Sequence, residues 1–292
     1  MRTIYIIDGN NLFFKSAHVA DEMTAPDGTD IGPLTTFCTM VHNIRRDCSP
    51  EYIVVTFDTG GHSGRKEIYP EYKAHREDHE AIDAQIPLAM AACRAMGLKV
   101  ISNPKYEADD IIATYARLAE DSGEYIVTVV SSDKDLLQLV SDRVMRLSTN
   151  FGQRTWYGPD EVQEKYGLPP FLIGDMLALM GDKADNVPGV KGIGPKIAAE
   201  LLNAHGDLEG VLAAAAAGTI PQKKRAEKLV AGAEDARVSM RLVDLQDVPI
   251  VHELAEFLDR GYNPVAAVPF FRRLGMGGFL YTLSLDLEKI PT

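Results

Sequence analysis

"YIVTVVSSDKD", residues 125–135, opens with six consecutive aromatic or β-branched residues and then turns abruptly polar. Such side chains favour strands. An apolar run without alternation marks a strand covered on both faces, as in a parallel sheet. The run ends in two acids, Asp133 and Asp135. Residues two apart on an extended chain point the same way. The stretch therefore poses a fold and a site together.

Working outward, the pattern recurs. "TIYIID" ends in Asp8 and "EYIVVTFD" in Asp58, and "GLKVIS" and "RVMRLST" complete five expected strands. Between them lie helical patterns, "PLTTFCTMVHNIRRDC", "AIDAQIPLAMAACRAMG" and "ADDIIATYARLAEDSG". Alternating strands and helices predict a doubly wound α/β domain with a mostly parallel sheet over residues 1–158. From residue 159 the strand patterns stop. "PDEVQEKYG", "PFLIGDMLALMGD", "PKIAAELLNAHG", "LEGVLAAAAAG" and "PQKKRAEKLVAGAEDARVSMRLVDL" predict a helical region over 159–292.

A chain of 292 residues that is 46% hydrophobic can bury a substantial core. Its three cysteines, Cys38, Cys48 and Cys93, lack metal-ligand spacing and argue against a disulfide scaffold or a zinc site. No apolar run reaches membrane-span length, and "MRTIYIIDGNN" is no signal peptide. A cytoplasmic protein is the expectation. A net charge of −12 argues, taken as a bare sum, against nucleic acid. The distribution of the acids changes that reading.

In an open α/β sheet, ligands bind outside the carboxyl ends of the strands. Asp8, Asp58, Asp133 and Asp135 all fall at that edge. The helix after the third strand starts there too, with Glu107, Asp109 and Asp110 in its first turn. "MGDKADN" adds Asp182 and Asp185. Each acid has an ordinary alternative. A strand-end Asp often caps a helix, first-turn acids suit the helix dipole, and a pair three apart is commonly a solvated face. Together, unpaired, they would repel and raise one another's pKa. An all-oxygen set suits two or more Mg²⁺ or Mn²⁺ ions. Paired ions of this kind stabilise attacking and leaving oxygens in phosphodiester hydrolysis. No serine or cysteine nucleophile with a histidine partner stands out, which leaves water as the nucleophile.

Two further segments suit phosphate. "SGRKEIYPEYKAHREDHE", residues 63–80, interleaves Arg65, Lys66, Lys73 and Arg76 with Tyr69 and Tyr72. Cations beside aromatics suit a strand of nucleic acid, although a solvated charged helix is the commoner fate of such a run. His62, His75 and His79 read as surface residues. "GVKGIGPKIAAELL" brings Gly189, Gly192 and Gly194, with Lys191 and Lys196, to a helix N-terminus, where backbone N–H groups favour anions. It lacks the spacing of a Walker loop.

The motifs "IIDGNNL", "VVTFD", "RKEIYPEYKAHR", "YEADD", "SSDKDLLQLVSD" and "MGDKADNVPGVKGIGPKIAAELL" together resemble the bacterial and phage 5′-nuclease family, the flap endonucleases, which includes the 5′-nuclease domain of DNA polymerase I. The resemblance spans residues 3–285. It implies a PIN-like catalytic domain, with residues 63–80 as an arch over the site, and a helix–three-turn–helix DNA-binding element at about 160–205. It implies metal-dependent hydrolysis of DNA at 5′ flaps and 5′ ends in replication and repair, in a bacterial or phage-infected cell. Forked or nicked duplex DNA is the implied partner, with RNA–DNA hybrids as a further substrate and a monomer as the simple expectation. By motif position, Asp8, Asp58, Glu107, Asp109, Asp110 and Asp133 correspond to a first metal group, and Asp135, Asp182 and Asp185 to a second. Lys73, Arg76 and Asp133 take catalytic roles. Arg65, Tyr72, Lys73, Arg76, Gly192, Gly194 and Lys196 correspond to DNA contacts. The carbonyls of Val187, Val190 and Ile193 correspond to a K⁺ site. One departure is Lys15, where the family often has Arg; a bidentate phosphate contact is lost there. The chain ends where polymerase-fused relatives continue, so a stand-alone enzyme or an isolated domain is expected. The rival readings are a catalytically silent DNA-structure-binding protein and a PIN-type ribonuclease.

Overall fold

The computed structural model describes residues 1–60, 64–74, 79–150 and 153–287. Six strands form one sheet: β1 (Arg2–Asp8), β2 (Tyr52–Asp58), β3 (Lys99–Asn103), β4 (Tyr125–Val130), β5 (Val144–Asn150) and β6 (Gln153–Tyr157). Their order is β3-β2-β1-β4-β5-β6, parallel except for the β5–β6 pair. The order reverses between β1 and β4, whose ends lie in register with Ile7 opposite Val130. That reversal opens the crevice in which α/β sheets place ligands. β6 was not legible in the sequence. "QRTWY" is short and exposed at the sheet margin, and carries no buried run.

Alternation along the strands divides the core. Tyr5 and Ile7 face one side, with Ile53, Val55 and Phe57, against the helices Gly9–Val19, Gly32–Cys48 and Ile86–Ala95. Ile4 and Ile6 face the other, with Val54, Val127 and Val129, against the helix Ala108–Asp121. β4 is buried at five of its six positions. A third cluster belongs to the helices Pro159–Tyr166, Ile173–Met180, Pro195–His205, Leu208–Ala216, Lys223–Ala231 and Ala233–Val243. The long helix expected over 221–245 is two, broken at Gly232.

The chain beyond Val243 does not stay with those helices. Leu245, Val248 and Phe257 pack under one face of the sheet, and Ala267, Phe271, Phe279 and Leu283 under the other. Arg45 is clamped by Asp259 and lies 4.1 Å from the Tyr262 ring centroid. Among the described residues no strand follows Tyr157, yet later residues complete the core on both faces of the sheet. Among the described residues no helix is long and apolar enough to cross a membrane.

Candidate metal and nucleic-acid site

At the reversal point Asp8 ends β1 and caps the helix Gly9–Val19: one carboxylate oxygen accepts the Asn11 N–H at 3.0 Å. Its other oxygen accepts the Ser131 hydroxyl, 2.8 Å away, at the end of β4. Asp8 is thus a helix cap that also reaches the neighbouring strand end. Asn10 reaches across to accept the Asp58 N–H at 2.8 Å, which fixes the end of β2. Asp133 accepts the N–H of Asp135 at 2.9 Å, and its own carbonyl accepts the buried Arg146 guanidinium at 2.7 Å. A cleft of about 1200 Å³ collects Asp8, Asp58, Glu107, Asp109 and Asp133 on its wall, with Lys73.

The remaining acids sit differently. Asp182 pairs with Lys134 at 2.5 Å, and Lys73 Nζ lies 4.0 Å from Asp185. These contacts bring the "MGDKADN" turn against the segments that carry Asp133 and Lys73. Asp135 keeps one buried carboxylate oxygen with no hydrogen-bond partner among the described residues.

The electrostatics follow from this crowding. Burial, together with Asp133 and Asp58, pushes the Asp8 carboxyl up to about 6, against the Asn11 and Ser131 hydrogen bonds. Burial and then the charge of Asp133 push Asp135 up to about 8. Asp109 is held well above the usual range by burial, then by Asp133 and Asp8, while Lys73 opposes. Asp182 goes the other way: burial works against ionisation, but Lys134 pulls it below the usual range. A crowded set of hard carboxylate oxygens fits a divalent cation, which would remove the repulsion. Among the described residues, however, no three His, Cys, Asp or Glu side chains converge tightly enough to make a ready-made shell for one ion.

A stability prediction follows for the metal-free chain. Raised folded-state values mean that the native state holds protons the unfolded chain has released, so stability is fullest below the unfolded value near pH ~4 and falls as pH rises. The losses are expected through about 6 for Asp8 and about 8 for Asp135. In EDTA, Asp135→Asn should raise the melting temperature at about pH 9 by roughly 3 °C or more. An unchanged melt would mean that ionised Asp135 is not under strain.

Three residues expected at the site take other positions. Arg65 is 2% exposed and is not presented to a phosphate. It grips both oxygens of Asp110, at 2.9 and 2.8 Å, so Asp110 is charge-paired in the interior instead of facing the cleft. Tyr72 is 3% exposed, packs among the apolar side chains of the helical unit and donates its hydroxyl to Glu107 at 3.2 Å. It offers no open face for a base. Lys73 lines the cleft: its Nζ lies 2.8 Å from Glu107, and its backbone N–H donates to Asp185 C=O at 2.9 Å. Arg76 lies outside the described residues. Ser131, Asn10 and Lys134 were missed. A serine, an asparagine or a single lysine beside acids carries no signal of its own, although "DGNN" and "SSDKD" hold all three.

No residue of the glycine loop is among those lining the cleft. Gly189 has φ +59°, and a Cβ there would come within 2.3 Å of the Gly181 nitrogen, so only glycine permits the approach. Lys191, Gly192 and Lys196 are exposed, and Gly194 is half-buried. Val187, Val190 and Ile193 are buried. The Val187 carbonyl accepts the Asp182 N–H and that of Val190 the Ile193 N–H, leaving each a second lone pair.

Comparison with known proteins gives a consistent picture. Residues 3–167 match the model of the 5′-3′ exonuclease N-terminal resolvase-like domain, and residues 168–264 that of the 5′-3′ exonuclease C-terminal SAM fold. DNA polymerase I of Rhizobium leguminosarum is 39% identical over 281 residues, 93% of this chain and 27% of the relative. The chain thus spans about a quarter of that relative's length. A 5′-3′ exonuclease of Aquifex aeolicus is 35% identical over 213 residues, 73% of each chain. Among solved structures, T5 5′-exonuclease with bound zinc superposes with a TM-score of 0.68 at 24% identity, covering 99% of each chain.

Proposed function

The chain belongs to the 5′-3′ exonuclease family, and from that premise we propose that it is a structure-specific 5′ nuclease that hydrolyses DNA phosphodiesters at 5′ flaps and 5′ ends with divalent metal ions. The observation that carries this reading is the cleft at the sheet reversal, where Asp8, Asp58, Glu107, Asp109 and Asp133 share a wall with Lys73. Asp8, Asp58, Glu107, Asp109 and Asp133 would hold one Mg²⁺ or Mn²⁺; Asp135, Asp182 and Asp185, with Asp133, would hold another. Bound there, such ions offset the carboxylate charge and supply Lewis-acid stabilisation to a phosphodiester.

The chain's own residues account for the rest. Lys73 is the cation placed to meet charge developing on the scissile phosphate. Leaving Glu107 is what frees its Nζ to do so. Asn11 and Ser131 hold the Asp8 carboxylate in one orientation. The exposed Lys191 and Lys196, around a glycine turn, suit the phosphates of a duplex, and the second lone pairs of the Val187 and Val190 carbonyls suit a K⁺ ion between loop and phosphate. The eight acids of these two sets carry eight of the twelve excess negative charges, so the acidic balance does not oppose DNA binding once cations occupy the rim. RNA in hybrids, a role in replication and repair and a monomeric state belong to the same proposal.

A 5′-labelled flap duplex tests it. Cleavage near the junction is expected with Mg²⁺ or Mn²⁺ and should stop on adding EDTA. Metal-independent cutting, or binding without cutting in the presence of either ion, would count against the nuclease reading; the second result would favour a DNA-structure-binding protein.

A further inference from the structure

Among the described residues, Arg65 is the largest fully buried side chain. Its guanidinium makes a fork to Asp110, and its Nε donates to Leu242 C=O at 2.7 Å. One terminal nitrogen also donates to Asp244 C=O at 2.8 Å, and the other lies 3.3 Å from Glu107. Asp110 is 0% exposed. Besides the two guanidinium contacts, its oxygens accept the N–H of Glu107 at 3.2 Å and that of Gln246 at 3.0 Å. A carboxylate has about four lone-pair sites, and these four donors occupy them. A cation could reach Asp110 only by displacing Arg65 and stranding a buried guanidinium, which is strongly unfavourable.

From this geometry we propose that Arg65 and Asp110 form a buried positioning pair that sets the catalytic rim against the helical unit, with Asp110 serving Arg65 and not a divalent ion. The proposal rests on the nuclease reading. It separates Asp110 from its neighbour Asp109, which lines the cleft. The pair reaches both parts of the molecule. Toward the rim, Arg65 and the Tyr72 hydroxyl converge on one Glu107 oxygen while Lys73 meets the other. Toward the helical unit, Leu242 and Asp244 end the helix Ala233–Val243, whose Ser239 accepts the Gly189 N–H at 2.8 Å. One helix therefore touches the glycine loop at one position and Arg65 at its end. Lysine cannot substitute, because it lacks the planar fork.

Calorimetric titration of the full chain with Mn²⁺, without DNA, decides the role of Asp110. Asp110→Asn keeps the shape and is expected to bind as many ions as the unaltered chain, with affinity lowered by no more than about tenfold. Asp109→Asn should lose an ion. Loss of an ion from Asp110→Asn would overturn the proposal. For Arg65, flap affinity is read at several salt concentrations without divalent ions, and kcat with them. Arg65→Met should lower kcat by roughly 10- to 100-fold and leave flap affinity and its salt dependence unchanged. Arg65→Lys should recover only part of that loss. A salt slope reduced by about one would make Arg65 a phosphate contact and refute the positioning role. If Arg65→Met does not fold, the ion count of Asp110→Asn still decides. The unaltered chain run alongside separates the two readings, since its failure to cut DNA would sink the nuclease and leave the ion count standing.

Discussion

Asp109→Asn is expected to lower flap cleavage by roughly 10³-fold or more, the equivalent of several kcal/mol of transition-state charge stabilisation. Its affinity for the same flap should change little. The side chain is isosteric, so folding should survive. Asp109 lines the cleft with Asp8 and Asp133, and its ionised form is opposed by burial and by those two charges. Among the described residues it has no structural partner comparable to the Arg65 fork on Asp110. Removing its charge should also relieve repulsion in the metal-free chain, giving an inactive variant that is at least as stable as the parent. Cleavage within tenfold of the parent, measured on a labelled flap at saturating Mg²⁺, would remove Asp109 from the metal set.

Lys73→Ala should reduce kcat by about 10²- to 10³-fold, the range seen when a preorganised donor to developing charge is removed. The backbone at Lys73 is left-handed, with φ +58°. It is held there by the donation to Asp185 C=O, and Asn186 donates to Glu71 C=O at 2.7 Å beside it. That anchoring fixes the backbone, so the reorganisation on meeting a phosphate is confined to the side chain, whose Nζ leaves Glu107. Glu107 loses one cation in the variant but keeps Arg65 and the Tyr72 hydroxyl. Single-turnover cleavage and flap affinity, measured in parallel, check the prediction. A loss confined to affinity would make Lys73 a phosphate anchor with no part in the chemical step.

The legible part of this molecule was set by strong local patterns. Unbroken β-branched runs at β1, β2 and β4 gave the parallel sheet, and an acid at the end of each gave the rim. Direction was harder. A helix brings both Asp109 and Asp110 to the sheet edge, but neighbouring positions differ by about 100° around its axis, so one faces the cleft and the other the interior. Motif position does not record that difference, and it assigned both to metal. Arg65 and Tyr72 failed for a related reason. Their run reads as charged and exposed, yet the partners that bury them, Leu242, Asp244 and Glu107, are far away in sequence. β6 had no pattern to read, because an exposed margin strand needs neither burial nor alternation.

The return of residues 245–283 to the sheet has a consequence for biosynthesis. Phe271, Phe279 and Leu283 cover the same core that Phe13, Phe37 and Val41 begin. A ribosome releasing this chain exposes the first half of that core long before the covering half emerges. At about 5–20 residues per second the wait lasts on the order of ten seconds or more, during which an apolar surface stands open. A nascent chain halted after the last strand would be a substrate for chaperones, and the sheet would be finished only once residues 264–287 leave the exit tunnel.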